Sequence, residues 1–440
     1  MKPTTGYRHS STCGYCRGTP REQTQKNTGG SYYIRATSMS SEYYQSLLDR
    51  YWRRSGGLLY RPNQREACCP HYTLRLDSSK FHATKDQRQA INRFNKHVAG
   101  DEYAKKAARL YPRSREQARK RDMEFDLVER IHEAEAEILK NPPLPLHKFE
   151  VTLEPDVFTE EKYAVFENYQ RVVHHEGPDM ISRDGFKRFL CASPLRRDVF
   201  RSAEDGKERQ LGSFHHCYRL DGKLVAIGVL DLLPDCVSAV YFLYHESIHK
   251  WQPGKLGALR EIALATENGY RWWYPGYYIH TCPKMKYKMD YTPQFLLDPD
   301  TLKWEKVDNK LLALFDSKGY LEMPKSHTDG EETTGPVDGA TTPSEAEEEE
   351  MDQDSDNDEH SLFDANMPGI PPLEQMRSVD LDHIPVRLNR GFCFSGDIFQ
   401  WEDEDIGSHG TPKAAIAEMV AAVGEDLITH QTCLDFRRMS

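Results

Sequence analysis

No stretch of this 440-residue chain approaches the ~20 consecutive apolar residues that cross a bilayer. A run such as LVAIGVLDLLP (224–234) has the length of a buried strand. The first residues, MKPTTGYRHSST, have no apolar core of the kind a secretory leader needs, so no such leader is expected. No internal repeat is found. Lys and Arg are missing from 329–364, which holds 15 Asp or Glu. The 10 cysteines, without a leader, point to a reducing compartment. There, cysteine pairs more often mean metal or redox chemistry than structural disulfides.

What is present is unevenly spread. The net charge is −11, but taking away the 15 acids of 329–364 leaves +4. Residues 1–121 carry 25 Lys or Arg against 9 Asp or Glu, a net of +16. A one-sided excess of that size is an electrostatic footprint for a polyanion, most simply nucleic acid. The alternative is a solvated basic surface.

Composition and periodicity divide the chain into five parts. Residues 1–84 are rich in Gly, Tyr and Cys, as in a small metal-stapled module. Residues 85–145 read as basic helices, interrupted near Pro112 and ended by P-P-L-P at 142–145. In FDLVERIHEAEAEIL (125–139), Leu127, Ile131, Ala134 and Ile138 fall on one helical face. Residues 146–320 alternate strand and helix signals. A strand at HKFEVTLEP precedes helices at 158–176 and 182–191. Then come three strands in close order, GSFHHCYRLD, GKLVAIGVLDLLP and CVSAVYFLYHE, turned at D-G (221–222) and P-D (234–235). A helix at 256–269, ending on Gly269, and a strand at RWWYPGYYIH follow. Residues 326–378 are low in complexity and acidic, which predicts a disordered insert. Residues 379–440 return to folded character, with a helix near 414–428, and are expected to pack on the domain before them.

Two short motifs suggest a metal centre. Cys13 and Cys16 form a C-x-x-C knuckle, and Cys68 and Cys69 lie side by side before Pro70. Adjacent cysteines bridge each other only through a strained ring. They can both reach one metal if the backbone bends, and Pro70 favours an extended or turned Cys69. Zinc and a [4Fe-4S] cluster both accept four thiolates, so spacing does not choose between them. Four unrelated thiols are the alternative. His71 reads as a packing residue, and His174–His175 and His215–His216 read as structural.

GYRHSSTCGYCRG, YYQSLLDRYWRRSGGLLYRP and ACCPHYTLRL resemble the N-terminal domain of eukaryotic arginyl-tRNA–protein transferases. KFEVTLEP, AIGVLDLLPDCVSAVYFLYHE, GKLGALREIALA and GYYIHTCPKMKYKMDYTPQFLL resemble that family's catalytic domain. The resemblance covers most of residues 6–305. It implies an enzyme that moves arginine from arginyl-tRNA to the N-terminal amine of proteins beginning with Asp, Glu or oxidised Cys, marking them for ubiquitin-dependent degradation. It also implies an α+β fold with a catalytic domain like the GCN5-related acetyltransferases (GNAT-like), and zinc or an iron–sulfur cluster on the four N-terminal cysteines. A cytoplasmic location is expected, with a nuclear pool as a second expectation. The element order read above matches the acetyltransferase order. The loop KWQPGKLGALRE (250–261) does not match the coenzyme A pattern, because Lys255 stands where a glycine is needed. It remains basic and Gly-rich ahead of a helix, which suits a tRNA phosphate through Gly254 and Gly257.

Transfer of an aminoacyl ester to an amine needs positioning and oxyanion stabilisation above all. A guanidinium wants a carboxylate, and Asp231 and Glu261 are the candidates. Each also has a structural reading, as a strand-end turn residue and a helix-dipole partner respectively. Tyr278 and His280 alternate on one strand face and offer a hydroxyl and an imidazole for proton transfer, while Tyr277 faces the core. Lys255, Arg260, Lys284 and Lys286 are the candidate cations for an acidic substrate N-terminus. Arg115, Arg119, Lys120 and Arg121 are the candidates for tRNA phosphates. Two other functions stay open: a non-enzymatic tRNA-binding adaptor with a degenerate transferase domain, and a coenzyme A-dependent N-acetyltransferase.

Overall fold

The computed structural model describes residues 5–10, 13, 15–16, 29–202, 206–317, 320–321, 361–389, 391–428 and 432–436. The chain begins with strands β1 (Gly6–Ser10) and β2 (Gly29–Arg35), helix α1 (Ser41–Leu48), and strands β3 (Arg53–Ser55), β4 (Leu58–Pro62) and β5 (Tyr72–Asp77). Four helices follow: α2 (Lys85–Ala99), α3 (Asp101–Leu110), α4 (Arg115–Met123) and α5 (Leu127–His132). Next come β6 (Phe149–Pro155), α6 (Glu160–Tyr169), α7 (Arg183–Leu190) and β7 (Asp198–Arg201). The long strands β8 (Glu208–Leu220), β9 (Lys223–Leu233) and β10 (Cys236–Tyr244) lead into α8 (Pro253–Asn268). Then β11 (Trp272–Tyr274), β12 (Tyr277–Tyr278), β13 (Gln294–Leu297), β14 (Trp304–Lys306) and α9 (Asn309–Ser317) follow. The chain ends with α10 (Leu373–Met376), β15 (Pro385–Leu388), β16 (Gly391–Phe394), α11 (Pro412–Val423) and β17 (Leu434–Asp435).

A ten-stranded sheet in the order β14-β13-β5-β11-β10-β9-β8-β6 is the frame, with β12 pairing β5 and β7 pairing β8 at its margins. Strand β9 shows how the sequence builds it. Its alternate residues go to opposite faces, as a period of two requires. Ala226, Leu230 and Leu232 meet Ile91, Phe94, Ile131, Leu259 and Ile262 from α2, α5 and α8. Ile227 and Val229 meet Val165, Phe166, Phe186 and Leu190 from α6 and α7. The type of turn is also local: Asp221 and Gly222 both take positive φ between β8 and β9. Gly257 lets α8 lie against β10, because a Cβ there would sit 2.3 Å from Phe242 Cε2.

Three expectations need correction. Residues 1–84 do not form a separate module. β1-β2-β4-β3 make their own sheet, but β5 enters the central sheet and pairs with β11, β12 and β13. Its sequence, YTLRLD, is buried at five of six positions, as a central strand must be. The helix expected over 125–139 ends at His132, and Ile138 is exposed because the chain turns away. The insert expected over 326–378 is not disordered throughout. Residues 322–360 lie outside the described residues, but Leu362, Ala365, Met367 and Met376 are buried against Trp52, Ile416 and Val420. Ser361 and the Leu362 amide are both held by Glu418, at 2.9 and 3.0 Å. Among the described residues no helix is long and apolar enough to cross a membrane.

Candidate functional site

The neighbouring strands of the central sheet are antiparallel except β10 and β11, which run parallel. They pair only at Cys236–Trp272, Val237–Trp273 and Ser238–Tyr274. β10 then shifts register between Ala239 and Tyr241, and β11 stops before Pro275 and Gly276, the latter at φ +83°. The two strands therefore part, leaving a wedge whose backbone groups are not used by the ladder. The Ala239 carbonyl and Lys288 Nζ both lie near Gly276, 3.8 and 3.7 Å from where its Cβ would be. Lys288 is buried and donates to the Tyr277 carbonyl at 2.7 Å.

Glu261 stands beside this wedge, buried on α8. Its Oε2 accepts from Trp273 Nε1 at 2.9 Å, and its Oε1 lies 3.4 Å from the Cβ position of Gly228. Burial raises its carboxyl to about 7, against smaller lowering effects of the Trp273 hydrogen bond and the Lys288 charge. A carboxyl tuned to neutrality next to an open sheet is suited to accept a proton. Tyr278 and His280 share a face as their alternation predicts, with the hydroxyl 2.7 Å from His280 Nδ1; Tyr278 is as buried as Tyr277, packed with Tyr72 and Phe315, and only His280 is partly exposed. The His280 ring stacks on Phe315 at 5.1 Å.

The four N-terminal cysteines come together. The sulfurs of Cys13, Cys16, Cys68 and Cys69 all lie within 4.8 Å of one another. Cys13 is brought well below the usual thiol range by hydrogen bonds from Cys68 and Cys69; Cys68 is pushed far up, first by its bond to Cys13. Cys69 is pushed up to about 12, chiefly by Cys13. Thiols this close oppose one another's ionisation, and a metal ion would let them ionise together. The donor set thus fits a metal. The cluster is also tied to the central sheet. Cys69 packs with Ile279 and Cys282, and Thr281 Oγ1 donates to its sulfur at 3.3 Å. His71 packs edge-on between Tyr15 and Tyr277, at 5.2 and 5.3 Å.

Several expected site residues are committed elsewhere. Both Asp231 oxygens are taken, by Arg54 Nε at 2.7 Å, Arg54 Nη2 at 2.6 Å and Ser213 Oγ at 2.6 Å, in a fully buried pair. Neither is left for a substrate guanidinium. Arg260 is buried, donates to the Ile131 carbonyl at 2.7 Å and pairs with Glu135, so it fastens α5 to α8 instead of facing a substrate. Lys255 pairs with Asp86 of α2. Gly257 is a packing residue inside α8; Gly254 remains open in its first turn. Lys286 is exposed, and the Lys284 side chain lies outside the described residues. On α4, Arg115, Arg119 and Lys120 are exposed, but Arg121 is paired with Glu133 at 2.5 Å. His215 Nε2 donates to the Leu190 carbonyl at 3.0 Å and His216 Nδ1 is hydrogen-bonded to the Tyr218 hydroxyl at 2.9 Å, which fits their structural reading. Sequence reasoning missed Arg54 and Lys288. The R-R pair at 53–54 and the excess of lysines in KMKYK were the only signals, and neither shows which cation turns inward.

Comparison with known proteins agrees with these observations. Two family models match: "Arginine-tRNA-protein transferase, N terminus" over residues 11–89, and its C-terminus counterpart over 161–298. The chain belongs to the arginine-tRNA–protein transferase family, a family of aminoacyltransferase enzymes. Arginyl-tRNA–protein transferase 1 of Saccharomyces cerevisiae is 32% identical over 305 residues, covering 66% of this chain and 54% of the yeast protein. The chain thus spans about half of that relative. The Drosophila melanogaster protein of the same name is 27% identical over 71% of this chain and 84% of its own length. An aspartate/glutamate leucyltransferase of Stutzerimonas stutzeri is 36% identical over 142 residues, 32% of this chain and 53% of that protein. Among solved structures, the C-terminal domain of a putative lysylphosphatidylglycerol synthetase from Agrobacterium fabrum covers 48% of this chain and 46% of that one, at 9% identity and a TM-score of 0.25. That score is too low to bear on the fold.

Proposed function

We propose that this chain transfers arginine from arginyl-tRNA to the N-terminal α-amine of proteins beginning with Asp, Glu or oxidised Cys, in the cytoplasm and nucleus, and so marks them for ubiquitin-dependent degradation. The observation that carries the reading is the wedge between β10 and β11, flanked by a buried carboxyl tuned to about 7, in a chain of this family. The order strand, two helices, three antiparallel strands, helix, strand runs through β6-α6-α7-β8-β9-β10-α8-β11 and supports a GNAT-like catalytic domain. The bacterial relative's name, which specifies aspartate and glutamate, supports acidic N-termini as acceptors.

The amine nitrogen attacks the ester carbonyl, the ester C–O bond breaks, and the terminal ribose hydroxyl leaves. An α-amine titrates near ~8, so a modest base suffices to take its proton. Glu261 is that base in this reading, and the proton then passes to the departing ribose oxygen. The Lys288 ammonium opposes the developing oxyanion. His280, partly exposed and oriented by the buried Tyr278 hydroxyl, serves for polar contact with the substrate. With Asp231, Arg260 and Lys255 already paired, Lys286 at the surface remains the candidate cation for an acidic acceptor, with Lys284 of the same segment. Arg115, Arg119 and Lys120 hold tRNA phosphates.

For the cysteines, a single tetrahedral ion is the better supported occupant. Bonds of ~2.3 Å to one zinc put tetrahedral sulfurs ~3.8 Å apart, which the observed limit of 4.8 Å contains. A [4Fe-4S] cluster interposes further bonds between its thiolates and needs a wider cage. When bound, the metal neutralises the thiolates and fixes the start of β5; Cys13, Cys16, Cys68 and Cys69 would hold it.

The test incubates the protein with tRNA charged with radiolabelled arginine and with peptides beginning with Asp, Glu, Ala or Lys. Label on the Asp and Glu peptides alone supports the proposal. Binding of tRNA with no transfer to any peptide points to an adaptor, and transfer from acetyl-CoA to an acetyltransferase.

A further inference from the structure

Between β10 and α8 the chain makes a six-residue 3₁₀ turn, Glu246–Trp251, that carries aromatic and cationic side chains on both of its sides. On one side Trp251 stacks with His97 of α2, centroids 4.3 Å apart and rings 17° from parallel. His147 adds a third ring 4.6 Å from His97, oriented by Asp221 at 2.8 Å. Lys250 Nζ lies 5.1 Å from the Trp251 centroid. Arg93 of α2 reaches Gln252 Oε1 at 3.2 Å. Among the described residues neither Lys250 nor Arg93 has a carboxylate partner, whereas neighbouring Lys255 is matched by Asp86 and Lys96 by Asp101. On the other side, His249 is exposed and takes the Tyr244 hydroxyl at 3.1 Å. Beyond it lies a hollow of 400 Å³ lined by Val172, Val173, Glu246 and His249.

The turn itself is held by Asn168, which accepts from the Glu246 amide at 2.9 Å and donates to its carboxylate at 3.1 Å. A partly exposed Trp251–His97 stack with a third ring tilted 53° beside it, two cations without a carboxylate partner among the described residues, and a hollow of two valines edged by one carboxylate and one imidazole make an unusual combination for a surface turn. A nucleobase fits each part. Its π-face continues the Trp251–His97 stack, its phosphate meets Lys250 or Arg93, and an exocyclic amine finds the Glu246 oxygen other than the one Asn168 holds. Burial, then the charges of His147 and Lys250, keep His97 below its usual range, which favours the uncharged ring in its stack with Trp251.

We propose that Tyr244–Trp251, with His97 and Arg93, is a stacking platform for single-stranded RNA that receives the unpaired C-C-A end of the donor tRNA. Stacking on the Trp251–His97 column and entry of one base into the Val172–His249 hollow would present the aminoacyl ester to the wedge, where β10 has just parted from β11. The inference rests on the reading of the chain as a tRNA-dependent transferase.

The test uses the full chain and two RNA hairpins, one with a 3′ C-C-A overhang and one blunt. Wild type binds the overhang about 10-fold more tightly. Trp251→Ala lowers affinity for the overhang roughly 5- to 100-fold and leaves the log–log salt slope unchanged, because stacking releases no counterions. Trp251→Tyr restores most of it. His249→Ala changes an exposed ring that folding does not need, and it also narrows the difference between the hairpins. Equal binding of both hairpins by wild type overturns the proposal, as does an undiminished overhang preference in the alanine variants. A wild type that prefers the overhang but transfers no arginine sinks the transferase reading and leaves the platform standing. Transfer without overhang preference does the reverse.

Discussion

At the residue scale, the sequence shows chemistry more readily than commitment. Asp231 and Glu261 look alike as candidates, yet one is consumed by Arg54 and the other keeps an oxygen beside the wedge. Which carboxylate is free depends on partners 177 residues away for Asp231 and 12 away for Glu261, and no local pattern reports them. Glu261→Gln tests the difference. Its carboxyl is raised from an ordinary 4.5 to about 7, so the wild-type rate should rise with pH through about 7 and the variant should lack that limb. The rate above that limb should fall by ~10²–10⁴, the range for a lost general base. Stability runs the other way. A raised acid favours the folded state fully below 4.5 and loses that contribution as pH rises through about 7, so wild type destabilises over that window and the variant does not. Thermal melts at pH 5 and pH 8 read the sign. The cysteines are legible in the sequence because adjacent thiols have so few other uses. Cys→Ser at 13, 16, 68 or 69 should each remove about one metal equivalent by elemental analysis, since a site that lacks one thiolate fails as a unit. Cys191, Cys217 and Cys236 changed the same way should keep it. A separate metal-stapled module would confine the damage to the basic N-terminal part. With Cys69 packed on Ile279 and Cys282 and β5 starting three residues later, the four variants should also lower transfer from saturating tRNA.

At the scale of elements, period and turn chemistry carry most of the reading. β8, β9, β10, α7 and α8 fall where alternation, D-G, P-D and Gly269 put them. RWWYPGYYIH is one strand by composition but two in the structure, because Pro275 and Gly276 break it and open the wedge. β5 belongs to the central sheet and not to an N-terminal module, and a buried strand does not name its neighbours. Leu362 shows the limit of composition: in the L-F pair after a long acidic run, Leu362 is core at 1% exposure and Phe363 packs beside it, so a deletion of 329–364 that composition makes look harmless removes packed side chains. Two elements give predictions. α5 is clasped to α8 by His132, whose Nδ1 meets Glu135 at 2.8 Å and Nε2 meets Glu267 at 2.7 Å. The hydrogen bond to Glu135 and then that to Glu267 raise the imidazole to about 9 from 6.5. The clasp therefore stabilises fully below pH 6.5 and is lost as pH rises through about 9. Melting temperature should drop over that window in wild type, and His132→Ala should flatten the drop. On α4, neutralising Arg115, Arg119 and Lys120 together should reduce the salt slope of tRNA affinity by about 3, one for each phosphate left without its cation. Adding Arg121→Gln should change it further by little, because Glu133 already holds that guanidinium. A slope unaltered by the triple change would take α4 out of the RNA interface.

At the scale of the whole molecule, the N-terminal strands and the central sheet are one body, and a buried ion pair joins them. Arg54 on β3 meets Asp231 on β9 with both side chains almost wholly shut off from solvent, 1% and 0% exposed. Burial alone would depress the guanidinium, and Asp231 more than reverses that. Ser213 adds a hydroxyl to Asp231 and lies in turn against Ser193 at 2.5 Å, drawing the segment after α7 into the same network. Such a pair is weak grounds for net stability, because two charges lose their hydration to make it. Its removal on one side is another matter. Asp231→Asn leaves Arg54 buried beside a neutral amide, which should cost about 3–5 kcal/mol and lower the denaturation midpoint accordingly. Arg54→Met with Asp231→Leu takes both charges away, and it should recover most of the loss, because apolar side chains of similar volume fill the same space. The double variant should also retain transfer activity near wild type once folded. A residue that gripped the substrate arginine could not be replaced by leucine without abolishing transfer. A stable, fully folded and inactive double variant would therefore return Asp231 to the substrate site from which its two hydrogen-bonded oxygens now exclude it.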